Sequence, residues 1–569
     1  MRRGLRSALA VFILCFLAAS LAQDKPAHRK TPAKKAAPQK AAEDTPIRFD
    51  DITRRAGIDF HLTCGSAEKR YIMDAMCGGI AFLDYDRDGW PDIFLLNGST
   101  LKHRQAGDGP SSKLYHNNHD LTFTDVTAKL GLDVRGWGMG VAVGDYDGDG
   151  YDDLYLTFLD GARLFHNDQG KHFTDVTEKS GVDNGGRWGT SAAFGDFDGD
   201  GKLDLYVANY VDLDLDHLPE FGSTAFCRYR GIPVSCGPRG LKGSRDRLYH
   251  NRGDGRFEDV SERLKIDPGA YYGLGVMWLD YNNDGCLDIY VANDSSPSLL
   301  YKNDCHGGFT EVAAEAGVAF SSDGQEQAGM GVDAADFDRD GRLDIAKINF
   351  SDDTNNLYRN EGEAGFTDVA GPSGFGPVST PFLGFGVRFV DMDNDGWPDV
   401  IVANGHVNPQ VDGKSFGVTY AERNLIFHNL GNGRFEELGA RAGAVFRTPR
   451  VGRGLAAADI DHDGRVDLLI SDLDGAPLLL RNVSPAANHW IDVQVEQGIG
   501  ARVEVTAGAA TQIDEVRANS SYLSASEQVV HFGLGKASRV RKITVRWTDG
   551  KTAQREGVEA DQTVKVPRP

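Results

Sequence analysis

Beyond its first two dozen residues the 569-residue chain has no apolar run long enough to cross a bilayer, which takes about 20 residues. It also lacks a nucleophile elbow, a Gly-rich phosphate loop, a redox-cofactor fingerprint and any paired spacing of general acid and base. Cysteine is scarce, at seven residues, and no Cys/His set has the spacing of a zinc site. Positive charge is in deficit: 61 Lys and Arg stand against 83 Asp and Glu, a formal charge of −22. That balance disfavours nucleic-acid binding.

The N-terminus sets the expected compartment. Arg2, Arg3 and Arg6 precede the apolar run Ala8 to Leu21, and Ser20-Leu21-Ala22 is a small-x-small cleavage site. Residues 1–22 therefore read as a signal peptide, with an uncleaved anchor as the alternative. A secreted, periplasmic or cell-surface protein without a transmembrane anchor is expected. Residues 23–46 are Lys, Ala and Pro with almost no large apolar side chain, a composition that cannot repay its ordering entropy and reads as a disordered basic linker. Removing Cys15 with the leader leaves six cysteines, an even number that favours disulfides in an oxidising compartment. Cys227 with Cys236 is the best pair. Cys64 with Cys77 and Cys286 with Cys305 come next, among 15 possible pairings.

What the chain has in quantity is one pattern, D-x-[DN]-x-D-G-x-x-D, seven times. Its oxygen side chains are Asp84, Asp86, Asp88 and Asp92; Asp145, Asp147, Asp149 and Asp153; Asp196, Asp198, Asp200 and Asp204; Asp280, Asn282, Asp284 and Asp288; Asp336, Asp338, Asp340 and Asp344; Asp391, Asp393, Asp395 and Asp399; Asp459, Asp461, Asp463 and Asp467. Positions 1, 3 and 5 place oxygens inside a tight turn, Gly at 6 permits the turn, and Asp at 9 closes the cage. A hard cation with six to eight oxygen ligands suits such a loop, so up to seven calcium ions are expected, one per loop. An EF-hand would need an acidic residue at position 12 and a following helix. Position 12 here is Leu95, Leu156, Val207, Val291, Lys347, Val402 or Ile470, in strand-like sequence. The loops hold 27 aspartates at ligand positions, more than the formal surplus of 22 negative charges, so loop carboxylates alone can account for the acidic balance.

Each loop sits in a unit of four short strands: a Gly-rich strand before it, an apolar strand after it, a stretch ending in Asn, and Phe-x-Asp-Val-Thr or a relative. That is one propeller blade. The seventh unit, ending near Asn482, lacks the last motif, and the missing copy lies before the first loop as Phe49-Asp50-Asp51-Ile52-Thr53. The prediction is an all-β chain: a seven-bladed propeller over 47–487, closed by the N-terminal strand, plus a small β-domain over 488–569. The latter shows period-2 alternation at Ile491 to Val495, Val503 to Thr506 and Ile543 to Trp547.

These loops and strands resemble the FG-GAP/VCBS repeats of integrin α-chain propellers. Residues Gly498 to Val503, Ser521 to Ser524, His531 to Gly535 and Val545 to Gly550 resemble the ASPIC/UnbV domain. The combination is the arrangement of bacterial relatives of cartilage acidic protein, and it implies an adhesion or scaffolding role. Asn519-Ser520-Ser521 departs from that domain's usual Gly/Ser run, which puts in doubt any ligand contact made through that turn.

Strand parity puts the calcium loops on one face of the ring and the connections between strands 2 and 3, and between blades, on the other. That second face is expected to carry the insertion from about Tyr210 to Asp246 and the candidate partner residues Arg135, Trp137, Arg187, Trp188, Tyr271, Tyr272 and His406. A protein or carbohydrate ligand is the expected partner. The alternative is an envelope hydrolase or lyase with His406 as base and Asp294 or Asp352 beside it.

Overall fold

The computed structural model describes residues 45–569. The expected leader, 1–22, and all but the last two residues of the linker lie outside the described residues. No described helix is long and apolar enough to cross a membrane. The chain is an all-β propeller, and six four-stranded antiparallel sheets, together with four strands of a six-stranded sheet, share one plan. In blade 4, for example, Gly273–Leu279, Asp288–Asn293, Leu299–Asn303 and Phe309–Glu311 pair in sequence order. In the last sheet, Gly452–Ala458, Asp467–Asp472 and Leu478–Asn482 are completed by Phe49–Asp51, with Phe49 opposite Asn482 and Asp51 opposite Leu480. The N-terminal strand thus supplies the outer strand that the seventh unit lacks.

Neighbouring blades are joined by a repeated hydrogen-bond pattern built on the Asn that ends each third strand. Asn167 Nδ2 donates to the Tyr85 carbonyl, Asn251 to Tyr146, Asn303 to Phe197, Asn360 to Tyr281, Asn429 to Phe337 and Asn482 to Met392. Each acceptor is the second residue of an aspartate loop in an adjoining blade. The remaining member is Asn117, which donates 3.0 Å to Ile460 and joins blade 1 to blade 7.

The Gly-rich first strands are explained by crowding at the axis. A Cβ on Gly140 would lie 2.4 Å from the Thr190 carbonyl, and one on Gly331 would lie 2.2 Å from that of Phe385. Real Cβ atoms do not approach so closely, and a side chain there would force adjacent blades apart.

The C-terminal part forms two small sheets. Val529–Gly535, His489–Val495 and Gln562–Val566 make one, and Ala510–Glu515, Arg502–Ala507, Arg539–Arg546 and Thr552–Glu559 the other. All three runs of alternating sequence fall on strands. The segment 519–526 departs from the expected self-contained domain. Asn519–Ser520 and Ser524–Ala525 form a hairpin that joins the sheet of blade 1, Ala525 opposite Ala81. The hairpin enters the propeller axis: the Leu523 carbonyl accepts from Val141 N, Ser521 N donates to Val332 O, and the Ser521 hydroxyl accepts from Val387 N. Tyr522 is fully buried, stacks edge-on against Phe385 at 4.8 Å and donates its hydroxyl to Met76 O at 2.9 Å. Met76 belongs to the Cys64–Cys77 disulfide loop, which fills the axis from the other side. The propeller core therefore includes residues from both ends of the described chain.

Two substitutions test this description. Asn303→Ala removes donors to the Phe197 and Leu287 carbonyls. A loss of about 2–4 kcal/mol is expected, from two hydrogen bonds and the acceptors left buried. Tyr522→Ala should cost about 3–5 kcal/mol through the cavity it opens on the axis. Denaturant unfolding of the full chain measures both. A surface-like change below 0.5 kcal/mol in either would contradict the packing described.

Candidate metal loops and partner face

All seven aspartate loops are built alike. The position-6 glycines have φ between +76° and +94°, the left-handed region that glycine enters without a steric penalty. Each donates its N–H to the position-1 carboxylate, at 2.6 Å for Gly396 to Asp391 and 3.0 Å for Gly89 to Asp84. The position-9 aspartates are buried, and both oxygens of each accept backbone N–H groups. Asp92 takes Asn117 N at 2.8 Å and Tyr85 N at 3.3 Å; Asp467 takes Asn482 N at 2.6 Å and Ile460 N at 3.2 Å. The sequence reading gave position 9 the closing of a cage. In the structure it first fixes the loop to the third strand, through the same Asn that reaches the adjoining blade.

Burial makes these carboxylates hard to ionise. It pushes Asp84 and Asp145 up to about 6 and Asp92, Asp153, Asp204 and Asp336 to about 7, with neighbouring loop carboxylates adding to the effect. Asp459 rises to about 8 through burial and the Asp492 carboxylate. Buried carboxylate oxygens lack any hydrogen-bond partner in three loops: Asp84 Oδ1 and Asp86 Oδ1, Asp338 Oδ1, and Asp461 Oδ1. Convergent oxygens, crowding of like charge and orphaned acceptors fit a hard divalent cation such as calcium.

A basic side chain precedes the Asn at the end of each third strand: His116, His166, His250, Lys302, Arg359, His428 and Arg481. The stretches ending in Asn contain these residues, but only the structure shows what several of them face. His116, His166, His250 and His428 lie 3.1–3.3 Å from the position-9 carboxylates, and Arg481 Nε lies 2.8 Å from Asp461 Oδ2. The Asp153 carboxylate, 3.3 Å away, pushes His166 up to about 9.

The C-terminal part lies over the loop face. Thr548 Oγ1 donates to Asp196 Oδ2 at 2.6 Å, Arg546 Nη2 is 3.3 Å from Asp280 Oδ2, and Arg502 donates to the Gly341 carbonyl. Glu515 accepts from Asp280 N and Glu527 from Asp459 N. These contacts reach four loops, three through the position-1 aspartates and one through the position-6 glycine carbonyl, so loops and C-terminal part share one contact surface.

The opposite face differs from expectation in its exposure. Among the seven candidate partner residues only Arg135 is exposed; Arg187, Tyr271 and Tyr272 are half-buried, and Trp137, Trp188 and His406 are buried. The two indoles pack in the core with Met73 and Tyr210. His406 is covered by Phe350 and by Tyr229 of the insertion, with ring centroids 5.4 and 5.2 Å away. Its Nδ1 accepts from Asn408 N, and burial, with Arg453 and Arg230 nearby, pushes it down to about 3. Asp294 accepts from Tyr210 at 2.5 Å, and Asp352 is engaged by Arg230 and Tyr229. The proposed base is neutral and enclosed. The Asn residues ending second strands cap turns, as Asn404 Nδ2 does at the Arg423 carbonyl. All six described cysteines pair, as Cys64–Cys77, Cys227–Cys236 and Cys286–Cys305.

The carboxylate shifts set a pH dependence for the chelated protein. A carboxyl raised in the fold binds more protons there than in the unfolded chain, so its contribution is fully present below about pH 4 and is lost as pH rises through 6–8. The melting temperature in chelator should fall between pH 5 and 8. With calcium added it should fall less or rise, because the ion replaces the protons. Melts in both buffers at each pH measure the difference; parallel curves would contradict it.

The FG-GAP-like repeat family matches residues 84–156, 157–207, 235–291, 280–346, 348–402 and 416–470, and the ASPIC and UnbV family matches 494–569. Cartilage acidic protein 1 of Mus musculus is 28% identical over 517 residues, covering 84% of this chain and 71% of that protein. The Homo sapiens protein of the same name is 28% identical over 514 residues, covering 84% and 69%. An Agrocybe aegerita lectin, whose structure concerns recognition of non-reducing terminal N-acetylglucosamine, is 19% identical, covers 70% of this chain and 86% of its own, and has a TM-score of 0.40. With its repeats spanning more than half of its length, the chain belongs to the FG-GAP-like repeat family and ends in an ASPIC and UnbV domain.

Proposed function

We propose that this protein is an exported, calcium-loaded propeller that binds or scaffolds a protein or carbohydrate ligand, and that it is not an enzyme. The observation that carries the reading is the closure of the propeller axis, with Tyr522 entering from the loop face and Met76 from the other. A substrate pocket on the axis would need open space there, and that space is filled by Tyr522, Leu523, Met73 and Met76. Three disulfides support an oxidising compartment, secreted, periplasmic or at the cell surface. The loop oxygens listed by position above hold the ions, up to seven.

The ligand docks on the face away from the C-terminal part. There the insertion carries the Cys227–Cys236 disulfide, a short hairpin of Arg228–Tyr229 and Ile232–Pro233, and Phe226, which is 55% exposed. An exposed aromatic on a stapled loop, with Arg228 beside it, is a suitable anchor for a partner. Calcium acts at a distance from this surface by holding the blades that position the insertion.

Glycan arrays and pull-downs with the immobilised full chain test the proposal, run with calcium, with chelator, and with Phe226→Ala. Retention in calcium that is lost in chelator, and reduced at least tenfold by Phe226→Ala at an unchanged melting temperature, is expected. Retention indifferent to both would overturn the docking face. Turnover that disappears in His406→Ala while the calcium-dependent melt is unchanged would favour the enzyme instead.

A further inference from the structure

The turn after the third strand varies between blades: two residues beyond the strand-ending Asn, blade 1 has His119, blade 2 Gln169, blade 4 Cys305 and blade 7 Ser484, and the other three blades have glycine. In blades 1, 3, 5 and 6 the backbone N–H at this position donates to that Asn's Oδ1 and the chain takes a positive φ. Blades 3, 5 and 6 place Gly253, Gly362 and Gly431 there, with φ of +74°, +67° and +67°. Blade 1 places His119, at φ +64°, a conformation that disfavours a side chain. The turn itself therefore does not call for an imidazole.

That imidazole reaches the outer edge of the first aspartate loop. His119 Nε2 lies 2.7 Å from Asp88 Oδ2. His116, three residues earlier, lies 3.2 Å from Asp92 Oδ1 and 3.5 Å from Asp86 Oδ2 through Nδ1. This His116 Nδ1 is buried without a hydrogen-bond partner of good geometry. Donor atoms of Asp88, His116 and His119 all fall within 4.8 Å of one another. Trp90 stacks on the His119 ring at 4.4 Å and 13°, and His462 of blade 7 packs on the other side of Trp90's neighbourhood, 4.2 Å from its ring, so the imidazole is held in place.

Two imidazole nitrogens and one carboxylate are a poor set for calcium, which takes oxygen. They suit a late first-row divalent ion, with water completing the coordination. We propose that His116, His119 and Asp88 form a site for a zinc-class divalent cation on the outer edge of the first loop. Asp86 is the adjacent carboxylate, and Trp90 is a positioning residue that fixes the His119 ring. The sequence conceals the site because its ligands come from a loop and from a strand and turn about 30 residues further on, joined only when the blade forms.

The test uses the full chain saturated with calcium. Zinc is titrated calorimetrically, and cobalt is titrated in parallel, since its visible absorption reports nitrogen coordination. One equivalent of each is expected to bind. His119→Gly, which installs the residue of blades 3, 5 and 6, should weaken both by roughly 10–100-fold or more and abolish the cobalt band. Its calcium content, by elemental analysis, should stay that of the parent. His166→Ala, at a loop with one imidazole, should change neither titration. Absence of zinc binding by the parent, equal binding by His119→Gly, or loss of calcium together with zinc would each overturn the site, the last by making His119 a turn residue. None of these outcomes depends on whether the propeller binds a partner.

Discussion

The architecture depends on a hydrogen-bonded relay from a buried aspartate to an asparagine to the adjoining blade. In every unit the position-9 carboxylate holds the backbone N–H of the strand-ending Asn, and the Asn side chain holds a loop carbonyl across the blade boundary. A loop and the neighbouring blade are thus positioned by the same two residues. Removing either leaves a buried polar group without a partner, which costs more than the bond's net worth. Seven such links act together, and Asn117 to Ile460 is the member that joins the first blade to the last. The Phe49–Asp51 strand makes a second joint in the last sheet.

Crowding at the axis adds a constraint of a different kind. Glycine in the first strands lets the blades approach, and the space left is narrow enough to be filled by one hairpin and one disulfide loop. Tyr522 and Leu523 enter from the loop side, and Met73 and Met76 from the other. Arg453 is fully buried nearby, its guanidinium satisfied by the carbonyls of Ala75, Gly405 and Gly452 and lying 3.9 Å over the Phe385 ring. A buried guanidinium without a direct carboxylate partner is tolerated because carbonyl dipoles and an aromatic face replace its water.

Much of this was legible in the sequence because it repeats. A nine-residue loop seen seven times fixes a strand-turn-strand unit, and a motif missing at one end and present at the other specifies which strands pair. The parts that stayed hidden depend on contacts between segments without shared periodicity. Asn519 to Ser526 reads as a turn of the C-terminal domain, and nothing local says that it enters another domain's axis. Trp137, Trp188 and His406 have the composition of a binding surface; they are buried because the disulfide loop 64–77 and the insertion cover them, and both covers are irregular. The histidines before the strand-ending Asn were visible as letters, yet only strand pairing places them against an aspartate loop.

The loop face carries the most consequential superposition. Its position-1 aspartates are raised by burial, and the same residues accept hydrogen bonds from Thr548 and lie against Arg546 of the C-terminal part. Cation loading and docking of that part therefore act on one set of carboxylates. An ion that neutralises Asp196 and Asp280 lowers the repulsion among loop oxygens but also weakens the attraction to Arg546. The two interactions differ in setting: the loop carboxylates crowd one another at buried positions, whereas Arg546 stands 3.3 Å from a single oxygen and is 40% exposed, where screening reduces its worth. Relief of repulsion inside the loop outweighs the loss at its edge. The backbone contacts of Glu515 and Glu527, which bind N–H groups rather than loop carboxylate oxygens, add to the axial hairpin in holding the C-terminal part to the propeller.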